Sequence, residues 1–310
     1  MNVVSIRRWL FVISAIVIIP GIISLAIPPT IKPGIEFTSG SVLNLTFVEP
    51  VEESAIRTQL TVLGHPDAVV QKLGSKSVLI RTKLLKEAPR NAVNEVGERE
   101  LIEQTISDKV GSIEASQFDS TSPIVAVETV RNSAIAVGVA AIGILIYITW
   151  AFRNIPNPFR YGGAAIVALI HDLLVVVGIF SILGKVIGLE VNAMFIVGLL
   201  TVLGYSVNDT IVVFDRIREN LKKYSKISIL DISNTSTNET LSRTLITSVT
   251  TLLALFSIYI FGGEILSGFS FAMIIGVIVG TYSSIFVATP ILNYTKVNQK
   301  TVLKEDQEIN

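Results

Sequence analysis

The chain has 310 residues, 50% of them hydrophobic, and a mean hydropathy of +0.62, which is too apolar for an ordinary water-soluble domain and reads as an integral membrane protein. Its 25 basic and 25 acidic residues cancel, there are no cysteines, and the two histidines, His65 and His171, lie far apart. Disulfides, thiolate metal sites and any familiar histidine metal motif are thereby excluded, and no basic tract is suited to nucleic acid.

Arg7 and Arg8 precede an apolar run from Trp9 to Ile27 that Pro28 and Pro29 end, so residues 1–29 read as a short tail and a first, uncleaved spanning helix. From Thr30 to Glu128 the composition turns mixed and polar, and no segment there is apolar enough to span. Ser41 to Val48 is strand-like, and Glu52 to Leu63 has helical spacing at Ile56, Leu60 and Leu63. Asp67 to Leu73 and Lys76 to Thr82 read as two strands, Pro89 to Val110 as a helix, and Ser112 to Phe118 as a last strand. The order βαββαβ predicts a ferredoxin-like α+β domain over 30–128, one antiparallel sheet with both helices on one face, and nothing in it looks catalytic.

Five further apolar runs follow, about 132–150, 161–183, 189–214, 244–261 and 269–292, giving a polytopic α-helical protein of six transmembrane helices. Arg153, Arg160, Arg216, Arg218, Lys222, Lys223 and Lys226 fall on the same side as Arg7 and Arg8, as do Lys296, Lys300 and Lys304. The bias predicts a multi-pass protein of the cytoplasmic membrane with both termini, a loop over 215–240 and a tail over 293–310 in the cytoplasm, and the 30–128 domain outside it.

The organising stretch is Gly198 to Arg216, where Asp209, beside Asn208, sits inside a run long enough to cross a bilayer. A charge at the bilayer centre costs about 3 kcal/mol or more, so such an acid faces a partner or a water-filled path unless it merely closes the helix among headgroups. Thr201, Tyr205 and Asn208 recur at helical spacing as a polar stripe leading toward the acid. Arg243 matches Asp209 in depth, which makes an ion pair the expectation; the plainer reading is an arginine snorkelling to the interface. His171-Asp172 lies mid-span on a face shared with Ala164 and Ala168, either as a relay or as an interhelical hydrogen bond. Gly276, Gly280, Ser284 and Ala288 form a small-residue ladder that lets two helices approach closely.

With these residues in view, the chain resembles the SecF family, in the SecD/SecF branch of the RND-type membrane proteins. The resemblance rests on His171-Asp172, on the run Gly204 to Asn220 that holds Tyr205-Ser206-Val207-Asn208-Asp209, and on Ser242-Arg243-Thr244-Leu245-Ile246-Thr247-Ser248. Gly34-Ile35-Glu36-Phe37-Thr38-Ser39-Gly40 is similar to the family's Gly-x-Asp-Phe-x-Gly-Gly, with Glu36 in place of Asp and Ser39 in place of the first glycine of the pair. It implies a subunit that pairs with a SecD-like chain and assists the SecYEG channel, using proton flow to pull preproteins outward. Asp209 and Arg243 would then belong to the proton path, with Asp172 and Asn208 beside them, while Gly34, Glu36, Phe37 and Gly40 are structural. No cofactor and no enzymatic activity are implied; the coupling ion is H⁺, with Na⁺ the alternative. Two other classes stay open from the residues alone, half of an RND-type exporter of lipids or small molecules and a passive membrane scaffold.

Overall fold

A computed structural model describes residues 6–86, 97–155, 157–224 and 227–294. Its contacts divide the chain into two compact units, residues 33–132 and the remainder.

The smaller unit opens with a short helix α2 (Ile35–Thr38) and continues as β1 (Gly40–Phe47), α3 (Glu53–Val62), β2 (Val69–Lys72), β3 (Ser77–Thr82), α4 (Glu98–Lys109) and β4 (Ile113–Thr121). The strands form one antiparallel sheet in the order β2-β3-β1-β4. Leu43, Leu45 and Phe47 alternate along β1 and so point to one face, where Leu43 is paired with Ile80 and Leu45 with Val78. Ile56 and Leu60 of α3 and Ile102 and Ile106 of α4 are buried in the same cluster, which closes the core. The helix expected to begin at Pro89 begins at Glu98; residues 87–96 lie outside the described ones.

The larger unit carries α1 (Arg7–Ala26), most of α5 (Pro123–Ala151), α6 (Pro158–Val186), α7 (Ala193–Lys223), α8 (Ile229–Phe261) and α9 (Glu264–Ser283), which runs through a π-helical turn (Ser284–Ala288) into α10 (Thr289–Tyr294). Six helices, the last being α9 with its continuation, are long and apolar enough to cross a membrane. Their ends depart from the hydropathy reading in three places. Helix α5 starts nine residues before Asn132, where Ser122 Oγ accepts from Val125 N (3.4 Å) and Pro123 needs no partner for its nitrogen. Helix α7 starts after Leu189, because Asn192 caps it by accepting from Phe195 N (2.9 Å). Among the described residues of the expected loop over 215–240, all but 224, 227 and 228 are helical. The Arg216–Glu219 (2.7 Å) and Arg218–Asp215 (2.5 Å) pairs hold α7 past the apolar run, and Ser228 caps α8.

Two seams bring the polar residues together. Along α7 and α9 the ladder meets a second ladder with the same spacing. A Cβ on Gly276 would lie 2.0 Å from Val202 Cγ2, one on Gly280 would lie 3.0 Å from Ser206 Cβ, and Ser284 Oγ is 2.9 Å from Thr210 Oγ1. Along α1 and α6 the offset is constant: Ser14 meets His171, Gly21 meets Gly178 and Ser24 meets Ser181. Past α1 the chain stays tied to α6 and the turn after it. Lys185 Nζ donates to Ser24 O and Ile27 O, Ser181 Oγ donates to Thr30 O, and Val191 N donates to Lys32 O (2.8 Å). Lys32 also pairs with Glu190 at 3.3 Å.

Candidate functional site

Asp172 sits where the two seams meet and is fully buried. Its Oδ1 lies 2.9 Å from His171 Nδ1, and its Oδ2 accepts from Ser206 Oγ of α7 (2.5 Å) and Ser283 Oγ of α9 (2.8 Å). The other ring nitrogen of His171, Nε2, is 3.1 Å from Ser14 Oγ of α1. Ser14 Oγ donates to Tyr282 Oη (3.3 Å), and Tyr282 donates to Leu10 O (2.8 Å). Three helices thus converge on the His171-Asp172 pair of a fourth, and Ala164 and Ala168 leave room for α7 to close on it. The serines pass unmarked in the sequence, since each is a lone hydroxyl in an apolar helix; only Ser206, three residues before Asp209, carries a hint.

Asp209 is buried at 2% exposure, one turn along α7 from Ser206. Its Oδ2 has no hydrogen-bond partner among the described residues. Tyr205 meets Ser248 (3.3 Å), Arg216 meets Glu239 (2.6 Å) and Asn220 meets Ser236 (2.9 Å), so the antiparallel register of α7 and α8 sets Asp209 level with Thr244. Thr244 Oγ1 and, nearer the hairpin turn, Thr237 Oγ1 are likewise buried and without partner among the described residues. A buried carboxyl oxygen with no donor is costly, and water, an ion or a proton on the acid would each relieve it.

Two expectations about this acid are corrected. Arg243 and Asp209 are near enough for their charges to act on one another, yet they form no ion pair within 4.0 Å, because Arg243 points from the exposed side of α8. Of the stripe Thr201-Tyr205-Asn208, only Tyr205, four residues before Asp209 and facing α8, shares its side of the helix. Successive helical residues are about 100° apart, so Asn208 and Thr201 lie on the exposed flank while Asp209 shares the buried face of Val202 and Ser206. Among the described residues, no three His, Cys, Asp or Glu side chains come together in a manner suited to a metal ion.

The glycine motif lies in the smaller unit. Gly34 precedes α2 and its carbonyl accepts from Thr38 Oγ1 (3.0 Å), Glu36 and Phe37 are half-buried on that helix, and Gly40 opens β1 at a φ of 127°. A Cβ on Gly40 would meet Thr82 O at 2.7 Å, so the role is one of backbone shape. Ser39, where the resembled motif has glycine, adopts φ 66° and ψ 164°.

The comparisons with known proteins agree with these features. The family described as protein export membrane protein SecD/SecF, C-terminal, matches residues 102–298. The protein translocase subunit SecF of Thermobaculum terrenum is 41% identical over 300 residues, covering 93% of each chain. That of Desulfurispirillum indicum is 39% identical over 93% of this chain and 89% of its own. The crystal structure of SecDF, a translocon-associated membrane protein from Thermus thermophilus, superposes with a TM-score of 0.79 at 31% identity over 94% of this chain. This chain spans 38% of the length of that SecDF chain. With a family match over most of its length and relatives aligned almost end to end, the chain is a multi-pass membrane protein that belongs to the SecF family of protein translocase subunits.

Proposed function

We propose that this protein pairs with a SecD-like subunit, acts beside the SecYEG channel, and couples the proton motive force to late steps of preprotein export. The observation that carries the reading is Asp209: an acid buried inside a spanning helix, within the stretch that most resembles the family, with an oxygen that no neighbour among the described residues satisfies. Burial disfavours a carboxylate's charge, whereas water or a cation restores it, so a helix movement that changes access to Asp209 changes its protonation. Arg243, on a flank of α8 that is exposed among the described residues, would enter the path when a partner helix packs there, with Asn208 beside it. Asp172 would serve the same path from the neighbouring seam. Each proton crossing contributes about 2.3 kcal/mol per 100 mV, enough to shift a two-state equilibrium severalfold or more.

In this reading the ferredoxin-like unit lies outside the cytoplasmic membrane, contacting the emerging chain or the partner's domain, and both termini are cytoplasmic, as the basic residues require. H⁺ is the coupling ion. The test is export of a secretory precursor into inverted vesicles, with and without an ionophore, at matched amounts of inserted protein. Asp209→Asn keeps shape and hydrogen bonding but cannot titrate, so ionophore-sensitive export is lost, and Arg243→Met fails similarly. Normal ionophore-sensitive export by Asp209→Asn would leave a scaffold role instead.

A further inference from the structure

The hydrogen-bond directions around His171 point to the number of protons the buried pair holds. Tyr282 has one hydroxyl proton, and it is committed to Leu10 O, a group that only accepts. Toward Ser14, Tyr282 Oη is therefore an acceptor, and the Ser14 hydroxyl proton is the one between them. Ser14 Oγ then has only lone pairs to offer His171 Nε2, so Nε2 carries a proton. On the other side of the ring, His171 Nδ1 and Asp172 Oδ1 are in hydrogen-bond contact, which needs one proton between them. It sits either on Nδ1, giving an imidazolium against a carboxylate, or on Oδ1, giving a neutral imidazole against a carboxylic acid. Both arrangements contain the same two protons and the same net charge of zero, the charge that a membrane interior tolerates best.

We infer that His171 and Asp172 form a second proton-holding site, one that accepts or releases a single proton by a turn of the Ser14 hydroxyl. Release leaves a neutral His171 with its remaining proton on Nδ1, donated to an ionised Asp172, and a bare Nε2. The Ser14 hydroxyl swings from Tyr282 Oη to donate to that nitrogen. The negative charge then left on Asp172 is held by the Ser206 and Ser283 hydroxyls, which already point at Oδ2. The groups facing the pair are Ser14 from α1, Ser206 from α7 with Asp209 one turn beyond it, and Ser283 and Tyr282 from α9; of these only Asp209 and Tyr282 can ionise. The bonds that change partner join α1 to α6 and α9, while the Ser206 and Ser283 bonds keep theirs and carry more charge, so a change in proton number is felt by all four helices. The purpose of the site rests on the proton-coupled reading above; its proton count does not.

The chain has only two histidines, so ¹⁵N labelling of the imidazoles in the full-length protein, embedded in lipid nanodiscs, gives two ring systems, and His65→Gln assigns them by subtraction. The expected spectrum of His171 has Nε2 protonated in the two-proton state, and a pH series converts it in one step to the Nδ1–H form with Nε2 bare. A bare Nε2 unchanged across the series would show a fixed structural hydrogen bond and overturn the proposal, as would an Nε2 that stays protonated throughout. Tyr282→Phe keeps the ring but frees the Ser14 hydroxyl to donate to Nε2. Within the transition it should raise the ratio of bare to protonated Nε2 about tenfold, the value of one hydrogen bond, and an unchanged ratio would remove Ser14 as the switch. None of these readouts requires export. Failure of the coupling role of Asp209 is therefore recognised separately, by export in Asp209→Asn.

Discussion

Ser39 occupies a backbone region that is nearly closed to residues with a side chain, and replacing it by glycine should stabilise the smaller unit. At φ 66° and ψ 164° a non-glycine residue carries about 1–3 kcal/mol of strain. Glycine adopts this conformation freely but has more freedom to lose on folding, which costs about 0.5–1 kcal/mol. Nothing else is sacrificed: the bonds at this position are made by the backbone, Ser39 N donating to Ile35 O (2.8 Å) and Ser39 O accepting from Thr38 Oγ1 (3.4 Å). The net gain lies within about 0–2.5 kcal/mol and centres on about 1 kcal/mol, and each kcal/mol raises the Tm of a domain this small by roughly 4–8 °C. The neighbouring residue supplies a control of opposite sign. Gly40→Ala keeps a φ of 127° only under strain and drives its Cβ to 2.7 Å from Thr82 O on β3, so it should cost about 2 kcal/mol or more. Urea unfolding of a 33–122 fragment measures both, provided the m-values agree with that of the parent. A midpoint for Ser39→Gly that is unchanged or lower would refute the reasoning about this turn, and an aggregating parent fragment would refute the unit's independence.

The same fragment should lose stability in mild acid. His65 is buried against Thr82 Oγ1 (3.0 Å), and desolvation, aided by Lys83, lowers its pKa below 6.5. Its contribution is present in full above about 6.5, the unfolded value, and is lost as the pH falls from there through the folded value; His65→Gln should flatten that slope in urea melts across the range. In the full chain, Gly276→Ala would force α7 and α9 apart against the fully buried Val202, costing about 1–3 kcal/mol in detergent thermal melts. Combining it with Val202→Ala should recover at least about 1 kcal/mol relative to additivity, and strict additivity would place the seam elsewhere. Orientation is checked by single cysteines at Ser75 and Thr235, both exposed, in a chain that has no others. An impermeant thiol reagent on intact cells should label the first and spare the second, and the reverse pattern would invert the topology.

Hydropathy marks each spanning helix because about twenty apolar residues have few other uses, and strict alternation along β1 discloses the inward face of its sheet. What escapes is whatever depends on partners from distant segments. Helix α7 outlasts its apolar run through the local pairs Arg216–Glu219 and Asp215–Arg218, whose spacing is legible, and through Arg216 and Asn220 finding Glu239 and Ser236, pairings visible only once α7 and α8 are side by side. Periodicity singles out Thr201, Tyr205 and Asn208 as polar, yet polarity does not say which side of a membrane helix is buried, and here the exposed flank and the interior both carry polar groups. His171 and Asp172 are conspicuous as adjacent ionisable residues, whereas Ser14, Ser206 and Ser283 become meaningful only through the acid and the ring they touch. The π-helical turn has no sequence signal that we recognise.

The ties that hold residues 24–32 to α6 and to the turn after it have a mechanical consequence. A pull on the chain at Pro33 does not unwind α1 from its end, because Lys32 is fastened through Glu190 and Val191, and the carbonyls behind it are gripped by Ser181 and Lys185. Several bonds spread along residues 24–32 share the load, in place of helical bonds opened one at a time. Tension reaching this segment is delivered to α6, the helix that carries His171 and Asp172.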